Sequence, residues 1–201
     1  LKKYPNNSSR SEVEKLLVDS YISSKNYKEA LVLLEKNRTP ENKSAYQKVL
    51  FYRGVELYNE SNYTEALKMF TSAVKEQKNP EFTARATFWK AESEYVTDDF
   101  RNALLSYKQF AGLAGAKTTD EYKNINYNIG YTYFKLKEYD QAANSFQAQI
   151  DNSKQDKVRL NDSYLRLGDS RFVTSKYSQA MDAYDKAMDA KGVDADYAQF
   201  Q

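Results

Sequence analysis

One short pattern recurs five times along this chain of 201 residues: Tyr27-Lys28-Glu29-Ala30-Leu31, Tyr63-Thr64-Glu65-Ala66-Leu67, Phe100-Arg101-Asn102-Ala103-Leu104, Tyr139-Asp140-Gln141-Ala142-Ala143 and Tyr177-Ser178-Gln179-Ala180-Met181. The central alanines stand 36, 37, 39 and 38 residues apart. Self-similarity at such a period means that one supersecondary unit is stacked on copies of itself. No other feature of the chain narrows its fold as far.

Each alanine anchors a wider frame. Twelve residues upstream stand Val18, Gly54, Ala91, Gly130 and Gly168, four of them small. Three upstream there is always an aromatic, and four downstream stand Leu34, Phe70, Tyr107, Phe146 and Tyr184. A small residue on one helix lets a second, antiparallel helix approach closely. The frame therefore predicts that the small residue faces the anchor alanine. Short polar turns, Ser23 to Asn26, Glu60 to Asn62, Thr97 to Asp99, Lys135 to Glu138 and Thr174 to Lys176, make the paired helices antiparallel neighbours. Between pairs, Pro or Gly stops one helix and Asp, Thr or Asn is placed to cap the next. No segment sustains period-two alternation. The prediction is an all-α fold of ten helices in five hairpins, with repeats over 10–43, 44–80, 81–117, 118–155 and 156–193, residues 1–9 as the tail of a preceding repeat and 194–201 as the start of a further one.

The pattern resembles the tetratricopeptide repeat family over nearly the whole chain. Gly54, Tyr63, Ala66, Phe70 and Ala73, and then Leu167, Gly168, Tyr177, Ala180, Tyr184 and Ala187, fall where that family's signature residues fall. The resemblance implies a superhelical solenoid of antiparallel hairpins. Departures are Val18 for a small residue, Glu94 and Arg171 for apolar ones, and Asn37, Phe110 and Gln149 for the later small residue. The Tyr4-Pro5-Asn6 break and the tyrosine-rich repeats are also similar to tetratricopeptide proteins of bacterial envelopes. That similarity implies a periplasmic or envelope location, with a cytoplasmic one left open. Tyr197 and Phe200 predict apolar surface on an unfinished hairpin, and hence end-to-end contacts of an otherwise monomeric chain.

Composition speaks to function. The chain has no His and no Cys, which removes the commonest general base, thiol nucleophiles and ordinary zinc or iron–sulfur sites. No phosphate-cradling glycine loop or nucleophile elbow occurs. We expect no catalysis, no cofactor and no metal. Asp182, Asp185 and Asp189 share a helix face but lack the glycine and loop of a calcium site.

In such a repeat the first helix of each hairpin lines the concave face. At its outward positions, fifteen, eleven and eight residues before the anchors, stand Phe51, Tyr58, Phe88, Glu92, Tyr95, Tyr127, Tyr131, Phe134 and Phe172. Aromatic side chains offer large contact area at low entropy cost, which suits docking of an extended peptide or a partner helix. The alternative for these rings is packing between repeats. The family's best-known ligand mode, a clamp for a C-terminal carboxylate, is disfavoured: Asp19 follows Lys15, and Tyr52 and Trp89 replace polar clamp members, leaving Arg85.

The function read from the sequence is an interaction scaffold for a protein or peptide partner. A spacer between functional ends of a longer chain is the alternative. RNA binding is disfavoured, because the net charge is only +2 and the candidate column holds Asp19, Glu92 and Asp169 where phosphates would need cations. No apolar run is long enough to span a membrane.

Overall fold

The computed structural model describes residues 10–152 and 156–189. Among them are ten α-helices: α1 (Arg10–Ser23), α2 (Tyr27–Lys36), α3 (Lys43–Asn59), α4 (Tyr63–Glu76), α5 (Pro80–Val96), α6 (Phe100–Gly112), α7 (Ile125–Lys135), α8 (Tyr139–Asn152), α9 (Lys157–Val173) and α10 (Tyr177–Asp189). A short 3-10 helix over Asp120–Asn124 precedes α7, and the described residues contain no strand. The predicted end segments, 1–9 and 194–201 with Tyr197 and Phe200, lie outside the described residues. The helices form two compact units, Leu1–Ser93 and Glu94–Gln201, with the division falling inside α5. Each unit is built of antiparallel helix hairpins.

All five turns within hairpins share one geometry. Lys25, Ser61, Asp98, Lys137 and Ser175 take left-handed φ angles between 59° and 62°. Each residue that follows donates its N–H to the carbonyl five positions back: Asn26 to Tyr21 at 2.8 Å, Asn62 to Leu57 at 2.9 Å, Asp99 to Glu94 at 2.9 Å, Glu138 to Tyr133 at 2.9 Å and Lys176 to Arg171 at 2.8 Å. The left-handed residue itself donates three positions back, as from Lys137 to Phe134 at 3.0 Å. These paired bonds end one helix and set the angle of the next. Glycine would adopt that φ without steric cost, yet none of the five is glycine.

An aromatic pair closes four of these turns. Tyr58 meets Tyr63 edge to face at 5.1 Å, Tyr95 meets Phe100 at 5.3 Å, Phe134 meets Tyr139 at 5.2 Å and Phe172 meets Tyr177 at 5.3 Å. Each joins the last turn of a first helix to the opening residue of the second.

The helix crossing differs from the sequence reading in one respect. At the three glycines, the atoms nearest the first helix belong to the aromatic four positions beyond the anchor, rather than to the alanine. A Cβ added to Gly54 would stand 2.6 Å from Phe70, one on Gly130 2.9 Å from Phe146, and one on Gly168 2.4 Å from Tyr184. The anchors Ala30, Ala66, Ala103, Ala142 and Ala180 are all buried. A side chain on the first helix would displace the ring that fills the centre of the hairpin.

Several departures from the repeat pattern are polar fasteners. Buried Glu94 accepts a 2.6 Å bond from the Ser106 hydroxyl. Gln149 accepts from the Tyr127 N–H at 3.3 Å and donates to the Lys123 carbonyl at 3.2 Å, which fixes the start of α7. Arg171 reaches Gln147 and the Gln179 carbonyl, both at 3.4 Å. In the first unit, buried Gln47 donates to the Ala73 carbonyl at 3.1 Å and the Thr83 hydroxyl at 2.9 Å, and accepts from Asn79 N–H at 2.8 Å and Lys78 N–H at 3.2 Å. One carboxamide thus ties α3 to the end of α4, the following turn and α5. Asn79 then caps α5, accepting from Glu81 and Phe82 N–H, with Pro80 in the first helical position. Asn26 and Asn62 make no such side-chain cap.

Candidate partner-binding surface

The eight aromatic residues singled out on the first helices divide into three groups, and the ninth residue, Glu92, stands beside one of them, Tyr58. The first is core. Phe51 is 1% exposed, with rings of Phe70 and Phe82 at 6.1 and 5.4 Å and the Arg85 guanidinium 4.9 Å above it. Phe88 is 8% exposed and meets Trp89 edge to face at 5.9 Å. Phe51 is covered by Phe82 of the next first helix, and Phe88 is likewise buried, so neither presents a ring to a ligand.

Tyr58, Tyr95, Phe134 and Phe172 make up the second group, the turn-closing rings. Their edge contacts use much of the ring, although Phe172 remains 47% exposed. Tyr58 also meets Trp89 at 5.1 Å. Burial pushes its hydroxyl up to about 12, and the nearby charge of half-buried Glu92 adds to the rise.

Tyr127 and Tyr131, one turn apart on α7, belong to the third. Their rings meet edge to face at 4.8 Å, and both rest on Phe146, at 6.3 and 5.3 Å. The Tyr131 hydroxyl donates a 2.6 Å bond to Asp162 of α9 and accepts a 3.1 Å bond from Arg166 Nε. Arg166 Nε also reaches Asp162 at 3.4 Å, and its Nη1 bonds Asp169 at 2.6 Å. Asp169 accepts a further bond from the Tyr184 hydroxyl at 2.9 Å. Arg159 places its guanidinium 5.8 Å from the Tyr127 ring. Burial, followed by the Asp162 carboxylate, pushes the Tyr127 hydroxyl up to about 12. Tyr131 is held well above the ordinary phenol value by burial and then by its bond to Asp162.

Sequence reasoning named the two tyrosines and missed Asp162 and Arg166. The signal was present: Asp162, Arg166 and Asp169 stand at i, i+4 and i+7, so an arginine lies between two carboxylates on one helix stripe. The result is a half-buried surface of two adjacent first helices whose polar groups hold one another in place. Such mutual fixing lowers the entropy lost when a partner binds.

Among the described residues no group of three acidic, His or Cys side chains could hold a metal ion, and Asp182, Asp185 and Asp189 are all exposed. No helix among them is long and apolar enough to cross a membrane.

Sequence profiles described as tetratricopeptide repeat match residues 51–117 and 124–156. A search of curated protein sequences finds no match. Among solved structures, BtubC from P. vanneervenii is similar with a TM-score of 0.68 at 14% identity, covering 90% of this chain and 79% of that one. MamA from Desulfovibrio magneticus RS-1 gives a TM-score of 0.63 at 17% identity, covering 90% and 94%. YrrB, described as a TPR protein with an unusual peptide-binding site, gives 0.66 at 17% identity, covering 94% and 90%. At these identities the likeness concerns the fold.

Proposed function

Because the chain belongs to the tetratricopeptide repeat family, we propose that it is a non-catalytic scaffold that binds a protein or peptide partner on the faces of its first helices. The observation that carries this reading is the linked set of Tyr127, Tyr131, Asp162 and Arg166, which presents ring faces and fixed polar groups together on α7 and α9. Aromatic and arginine side chains in such settings dominate binding energetics at protein interfaces. Neither His nor Cys is available for chemistry at this surface. The tyrosine-rich repeats support an assembly of the bacterial envelope as the setting, which fractionation of the source cells tests.

The binding role is tested by capture from source-cell extract with the native chain, Tyr131→Phe and Arg166→Ala. Tyr131→Phe keeps the ring and removes the hydroxyl that links α7 to α9. Loss of one specific partner in either variant, with an unchanged melting curve, supports the reading. Unchanged capture by both variants overturns this surface as the binding face.

A further inference from the structure

The first unit contains a cavity of about 170 Å³ bounded by α1, α2 and the turn leading into α3. Val18, Leu33, Leu34 and Ala45 line its apolar part. Glu14, Asp19 and Glu41 stand at its rim beside Lys15.

The register of the repeats accounts for the cavity. Fifteen residues before the anchors Ala30 and Ala66 stand Lys15 and Phe51; twenty-one before Ala66 and Ala103 stand Ala45 and Phe82. In the second repeat Phe51 and Phe82 meet edge to face at 5.4 Å, and together they fill the space above Phe70. In the first repeat the exposed Lys15 and the short Ala45 replace those rings, while the floor beneath stays apolar through Val18 and Leu34. The fold thus builds an aromatic socket and leaves the aromatic out. An aliphatic-lined cavity on the order of 150 Å³ is large enough to take benzene.

We propose that this cavity receives one aromatic side chain of a partner protein, presented beside lysine or arginine. The proposal rests on the protein-binding reading above and names the chemistry of the partner. The exposed carboxylates of Asp19 and Glu41 outnumber the one ammonium of Lys15, and a negative rim selects basic flanks and steers their approach. Hydrogen bonds from its own backbone N–H and then the Thr39 side chain hold the Glu41 carboxyl below the usual carboxylate range, so it is ionised at neutral pH.

The probe is a short peptide with blocked ends carrying one phenylalanine between two lysines, titrated into the isotope-labelled 201-residue chain and followed by amide resonances. Saturable shifts centred on Val18, Leu34 and Ala45 are expected. Replacing the peptide's phenylalanine by alanine, or its lysines by glutamates, should each weaken binding about tenfold or more. The double variant Lys15→Phe/Ala45→Phe rebuilds the pair seen in the second repeat. It should raise the melting temperature and abolish the peptide shifts. Should that variant fold poorly, Asp19→Lys/Glu41→Lys, at two exposed rim positions, should reverse the preference toward the glutamate peptide. Shifts centred elsewhere, an alanine peptide that binds as well, or a rim reversal without effect would each overturn the socket. So would a tenfold gain in affinity on Tyr4→Ala, which would make the chain's own Lys2-Lys3-Tyr4 the occupant. A chain that ignores the peptide yet still loses its partner on Arg166→Ala would discard the socket and leave the scaffold reading standing.

Discussion

Gly168 lies so close to Tyr184 that a Cβ on the glycine would stand 2.4 Å from the tyrosine's Cε1. Real Cβ contacts do not approach that near, so the ring must move. The ring is itself held by the 2.9 Å bond from its hydroxyl to Asp169. Gly168→Ala should therefore destabilise the second unit by about 1–3 kcal/mol, despite the better helix propensity of alanine. Gly112, in the last turn of α6, has nothing within 4 Å of the added atom. The same substitution there should stabilise by up to about 1 kcal/mol. Denaturant midpoints moving in the same direction for both variants would contradict this packing.

The left-handed turn residues make a second case of opposite signs. Lys137→Gly should stabilise by up to about 1 kcal/mol, since an L side chain at φ 62° carries a steric cost. Lys137→Val should destabilise by a similar amount, because branching at Cβ worsens that clash. Thermal melts of the two variants against the parent check both.

Gln47 is a single side chain with four bonds. Gln47→Leu keeps the bulk and removes them all, leaving two backbone N–H groups of the turn after α4 without their acceptor. At about 1 kcal/mol per bond the cost is on the order of 3–4 kcal/mol. Hydrogen exchange should accelerate first at Lys78 and Asn79; uniform acceleration across the first unit would contradict a local role.

Tyrosine ionisation gives the pH dependence. The hydroxyls of Tyr58 and Tyr127 are raised from 10.0 to about 12 by burial. A group whose folded value lies above its unfolded one contributes stability fully below the unfolded value, and that contribution is lost as pH rises through the folded one. Stability should thus be insensitive to these groups below about pH 10 and fall between about 10 and 12. Tyr127→Phe should blunt the fall. An equal alkaline loss in that variant and the parent would show that Tyr127 plays no part in it.

The hairpins were legible in the sequence because their determinants are local and repeated. The aromatics that open α2, α4, α6, α8 and α10, the turns before them and the anchor alanines all recur at one spacing. The surface was less legible because exposure depends on what a neighbouring repeat supplies. Phe51 and Tyr127 occupy the same register position. Phe51 is covered by Phe82 from the next first helix, whereas Arg159, at the matching place above Tyr127, lies 5.8 Å away and leaves its ring partly open. No feature of Phe51 itself announces this difference. The facing of Gly54 on Phe70 was hidden for a similar reason: the offset between two helices is a property of the pair.

Every turn within a hairpin is closed by bonds that reach no more than five positions along the chain. A growing polypeptide could therefore complete each such bend soon after its last residue left the ribosome, before any later repeat existed. Fits such as Gln47 to Thr83, 36 positions apart, must wait for the next first helix to be made. Short-range closure of this kind accompanies rapid folding, and long-range fitting accompanies slower steps. During synthesis the early product would be a string of bent helix pairs, and the order in which they lock together would follow the order in which they emerge.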